Sequence, residues 1–212
     1  MVIIPVIVPF FMSKGLSLAE IFYLQAIYAT TIVLLEAPSG YFADIFSRRT
    51  ALLIGSAAHG LGYLCLNFAD DLSGLIFFEI IVGIAGSLLS GADLALLYDT
   101  QKALEEDENL EHSKSIAHLG FIKSSAEALG ALLGGVLALW SFDLMVIFQS
   151  AAAWICLILA MLVVEPPYKN ADSATSNMRI SHIVNHMLMS DPVLRNVVIA
   201  IPLYSLATFH VA

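Results

Sequence analysis

The hydrophobic positions of this chain come in long unbroken runs. They show neither the stripe of an amphipathic helix nor the alternation of a half-buried strand. Short polar clusters punctuate the runs: Ser13-Lys14-Gly15, Ser47-Arg48-Arg49, Asp70-Asp71, Ser141-Phe142-Asp143, an acidic segment over 105–111 and a longer polar stretch over 170–192. A helix crossing ~30 Å of hydrocarbon needs about 20 mostly apolar residues. On that ruler the pattern predicts helix 1 over 1–12, helix 2 over 18–43, helix 3 over 50–69, helix 4 over 73–98, helix 5 over 116–140 and helix 6 over 143–164. Helix 1 is too short to span unaided and reads as the second half of a span. The segment 169–192 reads as a linker, with an amphipathic surface helix over 178–188, and helix 7 begins near 193. A span that stops mid-bilayer leaves carbonyls without partners. The sequence is therefore expected to be a piece of a longer protein, truncated at both ends.

Composition turns those runs into membrane spans. The chain is 59% hydrophobic and 13% charged, against roughly 25% charged in soluble domains, and its mean hydropathy is +0.86. The formal charge of −9 owes much to Glu105-Glu-Asp-Glu108 and Glu111. No basic patch with interleaved aromatics argues for nucleic acid. Cys65 and Cys156 lie inside apolar runs and read as reduced core residues. The first residues lack a basic flank and a small-residue cleavage site, so they do not read as a secretory signal. No Walker loop, zinc spacing or nucleophile constellation is present, so no cofactor, metal or enzymatic chemistry is expected.

Lysine and arginine placement gives orientation. Arg48 and Arg49 fall between helices 2 and 3, Lys102 and Lys114 between 4 and 5, and Lys169, Arg179 and Arg195 between 6 and 7. The opposite side carries Lys14 beside acidic turns. The 2–3, 4–5 and 6–7 connections are therefore expected in the cytoplasm.

The stretch Glu36-Ala-Pro-Ser-Gly40-Tyr-Phe-Ala-Asp44-Ile-Phe-Ser-Arg48-Arg49 joins helices 2 and 3. Its four-residue spacings set Glu36, Gly40 and Asp44 along one stripe, and Asp44 is spaced to pair with Arg48. The stretch resembles the signature loop of the major facilitator superfamily, Gly-x-x-x-Asp-(Arg/Lys)-x-Gly-(Arg/Lys)-(Arg/Lys), preceded by Glu-x-Pro-(Ser/Thr)-Gly. Ile45 replaces a basic residue and Ser47 a glycine, which makes the turn less permissive. The resemblance implies an all-α transmembrane fold: a six-helix bundle of two inverted three-helix repeats, 1–168, forming the N-terminal half of a twelve-helix protein. It further implies a latch holding the outward-facing state, with Gly40, Asp44, Arg48 and Arg49 as its motif and Asp99, at the end of helix 4, as the acid joining the arginine. The latch's partner is then a C-terminal six-helix half. The plain alternative is that the arginines only set topology.

Carboxylates within spans are costly unless paired, protonated or facing water. Helix 4 carries Glu79, where the family has an arginine, and Asp93; Glu79 is either a cavity residue or a solvated rim residue. Gly83, Ser87 and Gly91 form a small-residue stripe that reads as helix packing. Helix 5 carries Lys123, Glu127 and the glycines Gly130, Gly134 and Gly135, which read as helix-packing positions. Glu127 falls near the bilayer midplane, where transporter sites lie, or else forms an intrahelical pair with Lys123. Gly130-Ala-Leu-Leu-Gly134-Gly135 resembles the antiporter motif Gly-Pro-x-x-Gly-Gly, with Ala131 in the proline position. Glu36 is a further candidate proton carrier. The candidate translocation or coupling residues are thus Glu36, Glu79, Asp93, Lys123 and Glu127.

By resemblance, the expected function is secondary active transport of a small molecule by alternating access in a bacterial inner membrane. Intramembrane acids outnumber bases, which tilts the expectation towards proton-coupled efflux of a cationic or amphiphilic compound. The rivals are a non-transporting half-length membrane protein, either an assembly or receptor-like subunit or an inactive fragment, and a membrane-embedded enzyme.

Overall fold

The computed structural model describes residues 2–104 and 112–164. The expected linker over 169–192, its surface helix and the start of helix 7 lie outside the described residues. After a 3-10 turn at Ile4–Val6, the α-helices are α1 (Ile7–Ser13), α2 (Leu18–Phe46), α3 (Arg48–Leu66), α4 (Leu72–Leu104), α5 (His112–Trp140) and α6 (Phe142–Leu162). No strand occurs among the described residues.

Among the described residues, four helices are long and apolar enough to cross a membrane, over Leu18–Glu36, Leu72–Asp93, Ala117–Trp140 and Phe142–Leu162. Helix α3 has the length of a span at 19 residues, but Ser56, His59 and its glycines dilute it. Those residues are buried, so α3 meets its neighbours with a small and polar face.

Local signals fix the helix ends. Helix α1 closes in a Schellman arrangement: Gly15 N–H bonds to Met12 O at 3.0 Å and Leu16 N–H to Phe11 O at 3.2 Å. Gly15 sits at φ +89°, a conformation other residues adopt only with strain. Ser17 and Glu20 form a reciprocal capping box on α2. Asp71 caps α4, accepting from Gly74 N–H at 3.0 Å and from the Ser73 hydroxyl. These bonds hold the Asp71 carboxyl below its ordinary pKa. Ser141 caps α6, accepting from Leu144 N–H at 3.4 Å.

Helix α4 packs against both α2 and α3, and α3 also packs against α6. Small residues make the close approaches possible. A Cβ on Gly62 would stand 2.6 Å from Val82 Cγ2, one on Gly83 2.8 Å from Thr31, and one on Gly60 3.1 Å from the Trp154 ring. Further along the α2–α4 seam, the Ser39 hydroxyl donates to Ser87 O at 2.8 Å, and a Cβ on Gly91 would lie 3.7 Å from Gly40 Cα. The apolar core gathers where α1, α2, α3, α4 and α6 converge, around Phe10, Phe11, Leu24, Tyr63, Phe78 and Met145. The Tyr63 and Phe78 rings meet edge-on at 5.5 Å.

Candidate functional site: an ionic cluster at one end of the bundle

Helix α2 ends at Phe46 and α3 begins at Arg48, so a single residue turns the chain. That residue, Ser47, adopts φ 154° and ψ 148°, a conformation open to glycine and strained for serine. Its hydroxyl offsets part of that strain by accepting from Thr50 N–H at 3.0 Å and bonding the Thr50 hydroxyl, also at 3.0 Å. The sharp break carries Arg48 across the end of α2 towards α4.

Arg48 Nη1 lies 2.9 Å from Asp99 Oδ2 on α4, and Nη2 lies 3.6 Å from Asp44 Oδ1 on α2. The Arg48 side chain is 15% exposed, Asp99 21% and Asp44 61%. One guanidinium thus ties three helices, with the shorter contact on the more buried acid. Its fixed fork of donors suits this two-acid role in a way an ammonium does not. Arg49 faces elsewhere: its Nη2 donates to Met161 O at 2.9 Å and so caps the end of α6. Adjacent arginines therefore do different jobs, which the motif alone does not reveal.

Gly40 abuts Gly91 of α4 through its backbone, whereas a Cβ built on Gly40 meets nothing within 4 Å among the described residues. The absent side chain of Gly40 therefore faces away from the packed seam.

The other candidates separate into distinct places. Lys123 Nζ lies 3.8 Å from Asp93 Oδ2, linking α5 to α4. The alternative of an intrahelical Lys123–Glu127 pair is not what the structure shows: Glu127 is exposed, and the lysine turns to the acid of the neighbouring helix. Glu79 is 3% exposed and accepts from Gln25 Nε2 at 3.3 Å. That overturns the solvated-rim alternative, because α2 and α3 close over this part of α4. Glu36 is half-buried. The structure brings Asp44, Arg48 and Asp99 into one cluster and leaves Glu79, the Asp93–Lys123 pair and Glu127 outside it.

On α5, a Cβ at Gly134 would collide with the Val2 carbonyl, while one at Gly135 meets nothing within 4 Å among the described residues. Gly134 thus packs against the first residues of the chain, Gly135 has open space on its Cβ side among the described residues, and Gly130 is half-buried. Three features escaped the sequence pattern: the Arg49–Met161 cap, the Gln25–Glu79 bond, and a Lys14–Asp70 pair at 2.6 Å at the opposite end of the bundle. Each joins residues far apart in sequence, and no local spacing announces them. No group of His, Cys, Asp and Glu able to hold a metal ion occurs among the described residues.

Comparison with known proteins agrees with this architecture. Quinolone resistance protein NorA of Staphylococcus aureus (strain MSSA476) is 20% identical over 210 residues, covering 98% of this chain and 53% of that protein. Multidrug resistance protein MdtH of Aeromonas salmonicida (strain A449) is 28% identical over 136 residues, covering 64% of this chain and 32% of that protein. The chain therefore spans about half the length of the curated relatives it matches. The profile of the Major Facilitator Superfamily matches residues 1–211. With apolar spanning helices and the Gly40–Arg49 loop, the chain is an integral membrane protein and belongs to the Major Facilitator Superfamily.

Proposed function

We propose that this chain forms the N-terminal bundle of a secondary active transporter that moves a small molecule by alternating access. The observation that carries the proposal is the Asp44–Arg48–Asp99 cluster at the α2–α3 turn. A scaffold has no need of an arginine shared by two acids on different helices. A transporter that alternates between two states needs an ionic contact that forms in one and opens in the other. Asp44 is the exposed member and is free to meet a C-terminal six-helix half across the interface, where a helix N-terminus favours an anion. Arg48 and Asp99 hold the inner side of the same latch.

In this proposal helices α1–α3 and α4–α6 form two three-helix repeats of inverted topology. The turn bearing Arg48 and Arg49 faces the cytoplasm of a bacterial cell, because the lysines and arginines concentrate on that side. The relatives' names concern quinolone and multidrug resistance. They support efflux of a cationic or amphiphilic compound, and the excess of acids over bases within the spans supports proton coupling. Glu36, Asp93 and Glu127 are the proposed translocation residues. Glu79, sealed in the core, is less suited to meet a substrate directly.

The test is accumulation of a fluorescent cationic amphiphile in inverted membrane vesicles containing this bundle together with the C-terminal half it is proposed to pair with. A pH gradient should drive uptake at least about tenfold above the collapsed-gradient control. Glu127→Gln should remove the gradient dependence. Gradient-independent uptake would overturn proton coupling, and no uptake of any amphiphile under either condition would favour a non-transporting membrane protein.

A further inference from the structure

At the end of the bundle opposite Arg48, a groove of about 520 Å³ opens between α3 and α6 beside the end of α1. Its floor contains the buried Val146 and Ser150, and its rim carries Leu64, Phe68 and Ile147, which are 41%, 77% and 56% exposed. Along α6 the groove extends from Asp143 to Trp154. Eleven residues of helix cover about 16 Å, half of the ~30 Å hydrocarbon thickness. The groove is thus one leaflet deep, charged at one end and apolar along the rest.

The charged end has a definite composition. Lys14, Asn67 and Asp143 line it. Lys14 gives one donor to Asp70 at 2.6 Å, and an ammonium has three. Two carboxylates, Asp70 and Asp143, therefore share the mouth with one ammonium. A net-anionic headgroup would meet a surplus of negative charge. A zwitterion fits better: its phosphate meets Lys14 and the Asn67 amide, and its cationic group meets Asp143. A primary ammonium donates hydrogen bonds to Asp143, whereas a quaternary one cannot.

We propose that this groove holds one phospholipid of the leaflet opposite the Arg48 end and selects a headgroup bearing a primary ammonium beside its phosphate, of the phosphatidylethanolamine kind. The acyl chain lies against Val146, Ile147 and Trp154, and the headgroup against Lys14, Asn67 and Asp143. A chain held there covers the α3–α6 seam at the point where Trp154 packs on Gly60. The inference is independent of whether the protein transports anything, because it rests on an integral membrane protein and the groove alone.

The sequence supplies a built-in reporter, since Trp140 and Trp154 are the two tryptophans. Trp140 is 77% exposed, so Trp140→Phe leaves Trp154 as the probe with little effect on packing. The Trp140→Phe protein is reconstituted in bilayers in which a fixed fraction of the lipid carries brominated acyl chains. The brominated lipid is phosphatidylethanolamine, phosphatidylglycerol or phosphatidylcholine in separate experiments. Trp154 quenching should correspond to at least a twofold higher relative affinity for the ethanolamine lipid than for either of the others. Asp143→Asn should bring the three to one value. Equal quenching by all three lipids in the parent protein, a preference for phosphatidylglycerol, or a preference untouched by Asp143→Asn would overturn the proposal. So would absence of quenching by any lipid, which would mean that another protein surface covers the groove. The ethanolamine-against-choline comparison needs no substitution at Asp143 and stands even if that variant does not fold.

Discussion

The geometry around Arg48 makes an unequal prediction for its two acids. Asp99 stands 2.9 Å away and is 21% exposed, while Asp44 stands 3.6 Å away and is 61% exposed. At an effective dielectric of about 20, suited to the buried side, the first pair attracts by roughly 6 kcal/mol. In surroundings closer to water, suited to Asp44, the second attracts by roughly 1 kcal/mol. Desolvation of two partly buried charges cancels much of the Arg48–Asp99 attraction. The net coupling expected for Arg48–Asp99 is about 2 kcal/mol, in the range of hydrogen bonds to charged groups. For Arg48–Asp44 it is under about 1 kcal/mol, as for exposed pairs. Two double-mutant cycles, Arg48→Met with Asp99→Asn and Arg48→Met with Asp44→Asn, isolate the two couplings. Reversible denaturant unfolding in detergent micelles supplies the free energies. A coupling to Asp44 equal to or larger than that to Asp99 would refute the reasoning, because the buried acid of α4 would then not be the main anchor. A small coupling to Asp44 is also what the proposed role of Asp44 across an interface requires.

Three further outcomes follow from individual positions. Ser47→Gly should stabilise the bundle by about 1 kcal/mol: relief of about 1–3 kcal/mol of backbone strain exceeds the few tenths lost at the cap and the ~0.5–1 kcal/mol of glycine entropy. A melting curve showing destabilisation would mean that the turn is not strained. Gly83→Ala, whose Cβ would stand 2.8 Å from Thr31, should destabilise by about 1–3 kcal/mol, whereas Gly135→Ala should be close to neutral; equal effects in the same unfolding assay would contradict the α2–α4 packing. Arg49→Ala should lower stability by about 1 kcal/mol and speed amide exchange in the last turn of α6, where Met161 O loses its donor; unchanged exchange there would remove Arg49 from that role.

Local pattern made the helices and the signature loop legible, and tertiary packing withheld the pairings. Unbroken apolar runs marked the spans because lipid forces backbone groups to pair within the segment. Predicted and observed ends of α2 differ by three residues, 43 against Phe46, because Ser47 breaks the chain so sharply that α2 keeps its last turn. The Asp44–Arg48 contact was visible as a four-residue spacing. Asp99 was reached only through the resemblance, since it stands on another helix. Lys123 shows the limit most plainly: four-residue spacing nominated Glu127, yet the lysine reaches Asp93 on α4 at 3.8 Å. Spacing found the Gly83–Ser87–Gly91 stripe, but Gly60 and Gly62 follow no such period. Their role is defined by Trp154 and Val82 on other helices.

If the Arg48 cluster is a latch at the cytoplasmic face, as proposed, its opening exposes that side of the bundle. Ser90 is exposed and lies on α4 nine residues before Asp99, about 14 Å along the helix. With Cys65 and Cys156 replaced by alanine, a single cysteine at Ser90 reports access from the cytoplasm to a membrane-impermeant thiol reagent applied to inverted vesicles. Arg48→Ala and Asp44→Asn should each speed labelling at least about threefold without loss of folded protein. Labelling rates identical to the latch-intact protein in both variants would contradict the latch.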